Sequence, residues 1–195
     1  MHLLAFPGAI CGTKKLSMRH TFEAEQWLPY PRTRVFAFFA NPDNLPRLMP
    51  AWQKTRIDRS SIVPPPPPPG PPRQPQTPAA GQGTTMTLTF RPFPLAPFRI
   101  AWDAEISGFI WNDHFCDIQH RGPFAFWRHC HHVADATRDG QQGTTVRDHV
   151  EYAFPFGPLG ELAQHLGGAA QIRSIFRYRH KRTADLIGQA NQSTS

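Results

Sequence analysis

The chain has no apolar run long enough to cross a bilayer, and only three of its 195 residues are cysteines, Cys11, Cys116 and Cys130. The first absence argues against a transmembrane helix, which needs about 20 consecutive apolar residues. The second excludes a disulfide framework and a CxxC metal knuckle, so a reducing cytoplasm is the expected setting. No secretory leader is expected either. Leu3-Leu4-Ala5-Phe6 is broken by Pro7 and Gly8, lacks a preceding basic residue and is followed by Lys14-Lys15, the reverse of a signal peptide's charge order.

Concentrated charge is also scarce. The formal net charge is +7, yet the arginines are scattered, and the only dense run is Arg177-Tyr178-Arg179-His180-Lys181-Arg182. On a helix these residues point around much of the circumference, near a C-terminal end where the dipole favours cations. Neither a nucleic-acid partner nor stable membrane insertion is expected.

Proline, by contrast, is abundant, with 22 residues. Pro64 to Pro69, Pro71, Pro72, Pro75 and Pro78, with Gly70, Gly81 and Gly83, offer few backbone donors and almost no core side chains. Residues 64–83 are therefore expected to be a polyproline-like insertion outside the core. Such a run can serve as a ligand for a proline-recognising module, but a solvated spacer is the commoner use. Residues 1–17 precede the patterned sequence and are expected to be a disordered extension, as are residues 188–195 at the other end.

From Met18 the chain changes period in order. Thr21 to Leu28 reads as a strand, Pro31 to Phe39 as a short helix and Asn44 to Leu48 as a second one. Gln53 to Val63 is extended. Met86, Leu88 and Phe90 alternate with threonines, and Phe98, Ile100, Trp102, Ala104 and Ile106 share a face of the following strand. Further strands are expected at about 114–121, 124–134 and 143–153, the last placing Val146, Asp148, Val150 and Tyr152 on one face. Short turns between them suggest an antiparallel meander. After Pro155-Phe156-Gly157-Pro158 the period becomes helical: Leu159, Leu162, Leu166, Ile172, Ile175 and Phe176 form an apolar stripe that continues through Leu186 and Ile187. Gly167-Gly168 interrupts the helix, either to loosen it over a space or to permit close packing.

The block Phe115 to His131 carries the chemistry. It reads as two strands around Gly122-Pro123, with acid, amide and imidazole groups among large aromatics, where burial requires that they be paired or used. An odd-numbered loop with a bulge sets Asp117 opposite His129, Phe115 opposite His131, Gln119 opposite Trp127 and Cys116 opposite Cys130. Asp117 would then orient His129 as a general base, with Tyr152 or Gln119 donating to a developing oxyanion. An even-numbered loop would instead set Asp117 opposite Arg128, a plain ion pair. With Asp117, His129 and His131 would also supply the two-histidine, one-carboxylate set of iron and zinc sites. Nothing in the sequence fixes a third ligand, and neither metal nor cofactor is expected.

The element order, with Pro31 to Phe39, Asn41-Pro42-Asp43-Asn44-Leu45-Pro46, Pro50-Ala51-Trp52, the Phe115 to His131 block and Asp148-His149-Val150-Glu151-Tyr152, resembles the START-like, helix-grip (SRPBCC) superfamily, in particular its polyketide cyclase/dehydrase-like branch. The likeness covers about residues 18–187, taken as one domain. It implies an α+β fold in which a curved antiparallel sheet of about seven strands wraps a long C-terminal helix, with two short helices after the first strand. It also implies an apolar cavity between sheet and helix for a lipid-like or polyketide-like molecule. No single catalytic set defines the superfamily. On this reading Trp102, Phe115, Gln119, Trp127, His131, Asp148, Tyr152 and Phe176 contact the ligand, and His129 with Asp117 forms the candidate catalytic pair. The expected function is hydrophobic ligand binding. The alternatives are cyclase, dehydratase or hydrolase chemistry at the Asp-His pair and an interaction module using the proline-rich loop.

Overall fold

A computed structural model describes residues 18–68 and 78–192. The expected N-terminal extension, the centre of the proline insertion and residues 193–195 lie outside the described residues. Seven antiparallel strands form one sheet: β1 (His20–Leu28), β2 (Arg56–Ser61), β3 (Thr85–Phe90), β4 (Ile100–Ile110), β5 (His114–Arg121), β6 (Phe126–Arg138) and β7 (Gln141–Ala153). Their order is β1-β7-β6-β5-β4-β3-β2, so consecutive strands are neighbours except where β1 docks on β7.

Local chemistry sets these joins. Asp139 and Gly140, with φ of 51° and 77°, form the two-residue turn of the β6–β7 hairpin, and Arg138 pairs with Gln141 across it. Register shifts between Asp103 and Ala104 and between Ile106 and Gly108 bulge β4 against β5, which bends the sheet toward its concave face.

Helix α1 (Arg32–Ala40) follows Pro31 and buries Val35, Phe36 and Ala40. The expected second short helix is present in 3-10 form, as the short helices Pro42–Asn44, Pro46–Leu48 and Ala51–Gln53. Pro42, Pro46 and Pro50 interrupt the chain every four residues, and a proline cannot continue the hydrogen bonding of the turn before it.

The C-terminal helix is not uniform. Helix α2 (Pro158–Ala163) passes through a π-turn, Gln164–Gly168, into helix α3 (Ala169–Gln192). Gly167 has φ of 147°, a conformation that L side chains rarely adopt, and the break changes the phase of the apolar stripe. Ile172 and Phe176 are buried beyond it, whereas Leu159, Leu162 and Leu166, expected on the same buried stripe, are exposed. Gly168 packs so closely on Phe154 that a Cβ would meet the ring at 2.6 Å, so the pair serves both kink and close packing. Helix α3 also runs through residues 188–192, expected as tail. Arg34 of α1 donates to the Ile187 carbonyl and ties down this end.

The described ends of the proline insertion are not wholly outside the core. Ala80 is buried against the α1 cluster, its N–H donates to Ala40 O at 2.9 Å, and Gly81 N–H donates to Val63 O at 2.8 Å. A small side chain and two backbone bonds close the base of the insertion onto the sheet. Phe98, expected on the inner face of β4, precedes the strand and is exposed.

Candidate functional site

Between the concave face of the sheet and α3 lies a cavity of about 360 Å³. Its walls are apolar: Met86 and Leu88 from β3, Ile100, Trp102, Ala104 and Ile106 from β4, Phe115 from β5, Trp127 from β6, and Ile172 and Phe176 from α3. Alternation with period two puts these strand residues on one face, and the helical spacing of 172 and 176 puts theirs opposite. Trp102 stands edge-on to Trp127 at 5.0 Å, and its buried indole N–H has no hydrogen-bond partner.

Asp117, His129, His131 and Arg179 are the ionisable groups that line the cavity, beside the neutral polar residues Asn44, Gln53, Thr55 and Gln171. The β5–β6 register pairs Asp117 with His129, Phe115 with His131 and Cys116 with Cys130, as the odd-numbered loop requires. Cys116 and Cys130 are joined by a disulfide on the opposite face, in contrast to the reduced thiols expected of a reducing compartment. The alternative pairing of Asp117 with Arg128 does not occur; Arg128 is opposite Ile118 and lies 3.5 Å from Glu151.

Asp117 is not the main partner of His129. Its Oδ2 lies 3.5 Å from His129 Nδ1, and its Oδ1 accepts a hydrogen bond from Trp127 Nε1 at 3.3 Å. The closer carboxylate belongs to Asp148 on β7, whose Oδ1 is 2.9 Å from His129 Nε2 and 2.7 Å from His131 Nδ1. Its Oδ2 is 3.2 Å from His180 Nε2 of α3. Asp148 lies behind the two imidazoles instead of lining the cavity.

Burial opposes charge on Asp148, His129 and His131, and their partners decide which of the three ionise. Burial would raise the Asp148 pKa, but contacts with His131, His129 and His180 hold it well below the usual carboxylate range. Burial likewise opposes protonation of His129, yet Asp117 and Asp148 outweigh it and raise its pKa. For His131 desolvation wins, helped by repulsion from His129, and its pKa falls to about 4. His131 is therefore a neutral imidazole at pH 7, stacked against Phe39 at 5.1 Å and tilted on Phe115 at 4.7 Å.

Two expected contacts are used elsewhere. The Gln119 amide donates to Phe124 O at 2.7 Å and stitches the β5–β6 turn. The Tyr152 hydroxyl is engaged with the Gln164 amide at 2.9 Å, bracing the π-turn. Neither lines the cavity, so neither is placed as an oxyanion donor.

Arg179 and His180 were missed because their charged run reads as a solvated helix end. The stripe Ile172, Phe176, Arg179, Thr183, Ile187 carries the signal, since it continues the helical spacing straight through the arginine. Arg179 is buried, with its guanidinium 5.3 Å from the Phe176 ring centre and its Nη1 3.9 Å from Met49 Sδ. Burial lowers its pKa, opposed by Asp148 and Asp117.

No family model and no curated protein matches the chain. Solved structures share its fold. Norcoclaurine synthase from Thalictrum flavum is 13% identical, covers 96% of this chain and 98% of its own, and superposes with a TM-score of 0.57. Ara h 8.0201 is 17% identical over 88% of this chain and 99% of its own, with a TM-score of 0.54. TTHA0849 from Thermus thermophilus is 14% identical over 86% and 99%, with a TM-score of 0.55. These are Bet v 1-like helix-grip proteins, and the fold of this chain is the helix-grip fold that its motifs resemble. At such identities the likeness extends to the fold and not to the chemistry. Among the described residues no helix is long and apolar enough to cross a membrane.

Proposed function

We propose that this domain binds a hydrophobic small molecule, lipid-like or polyketide-like, in the cavity between the sheet and α3. The observation that carries the reading is the cavity itself, about 360 Å³ with apolar walls and, among its polar lining, buried imidazole and guanidinium groups and a half-buried carboxylate. A volume of this order suits a small organic ligand, and a few convergent polar groups in an apolar pocket orient one. The unpartnered Trp102 N–H supports a ligand that carries a hydrogen-bond acceptor. A norcoclaurine synthase structure of the same fold is in complex with dopamine and hydroxybenzaldehyde, so the fold accommodates small molecules.

Gentle extraction of the purified protein, followed by native mass spectrometry, tests the reading together with displacement of an environment-sensitive dye by hydrophobic competitors. Dye that binds the folded protein and is displaced supports it. A folded protein that binds neither dye nor any co-purifying molecule overturns it.

One observation favours a second reading, a cyclase, dehydratase or hydrolase. His129 lines the cavity with Nε2 held by Asp148 at 2.9 Å, and its Nδ1, in looser contact with Asp117 at 3.5 Å, is the nitrogen that would take a proton. If it acts so, His129→Gln retains dye affinity and loses roughly 100-fold or more in turnover. If His129 only orients a ligand, the same substitution alters affinity by about 0.5–1.5 kcal/mol and there is no turnover to lose.

A further inference from the structure

His129, His131 and Asp148 each present one donor atom, and the three atoms lie within 4.8 Å of one another. His129 and His131 are two apart on β6, so both rings project from one face, and Asp148 is the register partner of His131 on β7. Asp148 Oδ1 is where they converge, 2.9 Å from His129 Nε2 and 2.7 Å from His131 Nδ1, with all three side chains about 5% exposed. Two ligands bonded to one ion at about 2.0–2.2 Å and at right angles stand roughly 3 Å apart, close to these separations.

An orphaned atom marks the same spot. His131 Nδ1 is buried and makes no hydrogen bond, because its approach to Asp148 Oδ1 is close in distance but poorly aligned. A cation placed among the three atoms engages that nitrogen without requiring the alignment. The surroundings resemble the outer support of ligating imidazoles: His129 Nδ1 faces Asp117, Asp117 accepts from Trp127, and the far oxygen of Asp148 meets His180. Phe39 and Phe115 hold the plane of the His131 ring. Two carboxylates are available to offset the charge of an ion beside Arg179.

We propose that His129, His131 and Asp148 form a binding site for a divalent transition-metal ion, zinc or iron, behind the cavity floor. Two imidazoles and one carboxylate suit these ions, whereas magnesium and calcium prefer all-oxygen sets. Both histidines line the cavity, while the nitrogens that would hold the ion point to Asp148 behind them, so the ion would fix the cavity floor from the rear. The site goes beyond the ligand-binding reading and does not depend on it. A metal on His129 Nε2 would occupy the nitrogen that now meets Asp148 and leave Nδ1 facing Asp117.

The test uses the full chain, stripped with a chelator and dialysed against Zn²⁺, against Co²⁺ as a spectroscopic substitute, or anaerobically against Fe²⁺. Retained metal is measured by elemental analysis, and no small-molecule ligand is present. We expect a single ion per chain, with ligand-field bands for Co²⁺. His131→Gln and Asp148→Asn should each weaken retention by at least about 10-fold. A His114→Gln/His132→Gln variant, which removes a tilted imidazole pair with ring centres 5.2 Å apart and outside the cavity lining, should retain the ion. Because Zn²⁺ outcompetes Fe²⁺ at nitrogen and oxygen ligands in general, the ion is identified from the metal content of the protein as purified and not from relative affinity. Retention that survives His131→Gln, or that is lost in the His114/His132 variant, overturns the proposal. So does wild-type protein that holds none of the ions at large excess, a result that stands even if a variant does not fold. Dye displacement on the metal-free protein can succeed or fail separately, which keeps the two readings distinguishable.

Discussion

Asp148 and His129 meet at 2.9 Å although they are not register partners: β6 and β7 pair Asp148 with His131 and His129 with Val150. The contact is diagonal, and it makes one carboxylate serve imidazoles from β6 and from α3. In the metal-free protein Asp148→Asn removes a buried charge on which those groups depend. We expect a loss of about 3–5 kcal/mol in urea unfolding, the scale for breaking a buried ion pair. Asp117→Asn, at a carboxylate 22% exposed, should cost about 1 kcal/mol. Equal losses for the two variants would mean that Asp148 is not the organising acceptor.

Filling the cavity should separate binding from stability. Ala104 is buried on β4 and lines the cavity wall. Ala104→Phe is expected to weaken dye binding by at least about tenfold, or ~1.4 kcal/mol, while the thermal midpoint holds or rises, as with other cavity-filling changes. Trp102→Phe should have the smaller effect of one lost donor, about 0.5–1.5 kcal/mol, and only for a ligand with an acceptor. Undiminished dye affinity in Ala104→Phe would place the dye outside this cavity.

Much of this arrangement was legible because strand side chains alternate with period two, so a register error of one residue turns a buried face outward. That constraint is strong where Phe115, Asp117, Trp127, His129 and His131 must share one face, and it made the Asp117–His129 pairing readable. Asp148 was expected as a ligand contact, and a second count gives its place beside His131 but not its contacts with His129 and His180. The two-residue turn at Asp139-Gly140 pairs 138 with 141 and, counted back along the hairpin, 131 with 148. Arg179 and His180 were hidden because the phase of a helix against a sheet is a tertiary property. The exposure of Leu159, Leu162 and Leu166 was hidden because a single positive φ at Gly167 resets that phase. Gln119 and Tyr152 look like free polar groups in sequence, but their partners, Phe124 O and Gln164, lie outside the strands that carry them.

The proline insertion should prove separable in part. Replacing residues 69–77 with a short glycine linker should shift the thermal midpoint by no more than about 2–4 °C, the equivalent of ~1 kcal/mol in a chain of this size, because long loops add little closure entropy. Removing all of residues 64–83 should cost more, since it deletes Ala80 from the core and the Gly81 to Val63 bond, and with Pro66 the carbonyl that Trp111 Nε1 donates to. Calorimetry on the two deletions decides. If the shorter deletion collapses the fold, residues 69–77 contribute packing that their composition does not suggest.

The Cys116–Cys130 bond lies directly behind the pairs that carry the site, since Asp117–His129 and Phe115–His131 flank it in the register. It closes a segment with a sequence separation of 14, for which chain entropy gives a stabilisation of about 3 kcal/mol. We expect reductant to lower the urea midpoint of the wild-type protein by that order and to leave a Cys116→Ser/Cys130→Ser variant unchanged. Because the sulfurs occupy the face away from the cavity, dye affinity measured well below the unfolding transition should change little on reduction. Peptide mapping of the oxidised protein should recover the 116–130 link, with Cys11 as the free thiol. A link through Cys11, or a midpoint indifferent to reductant, would show that the two strands are held by their backbone ladder and side-chain packing alone.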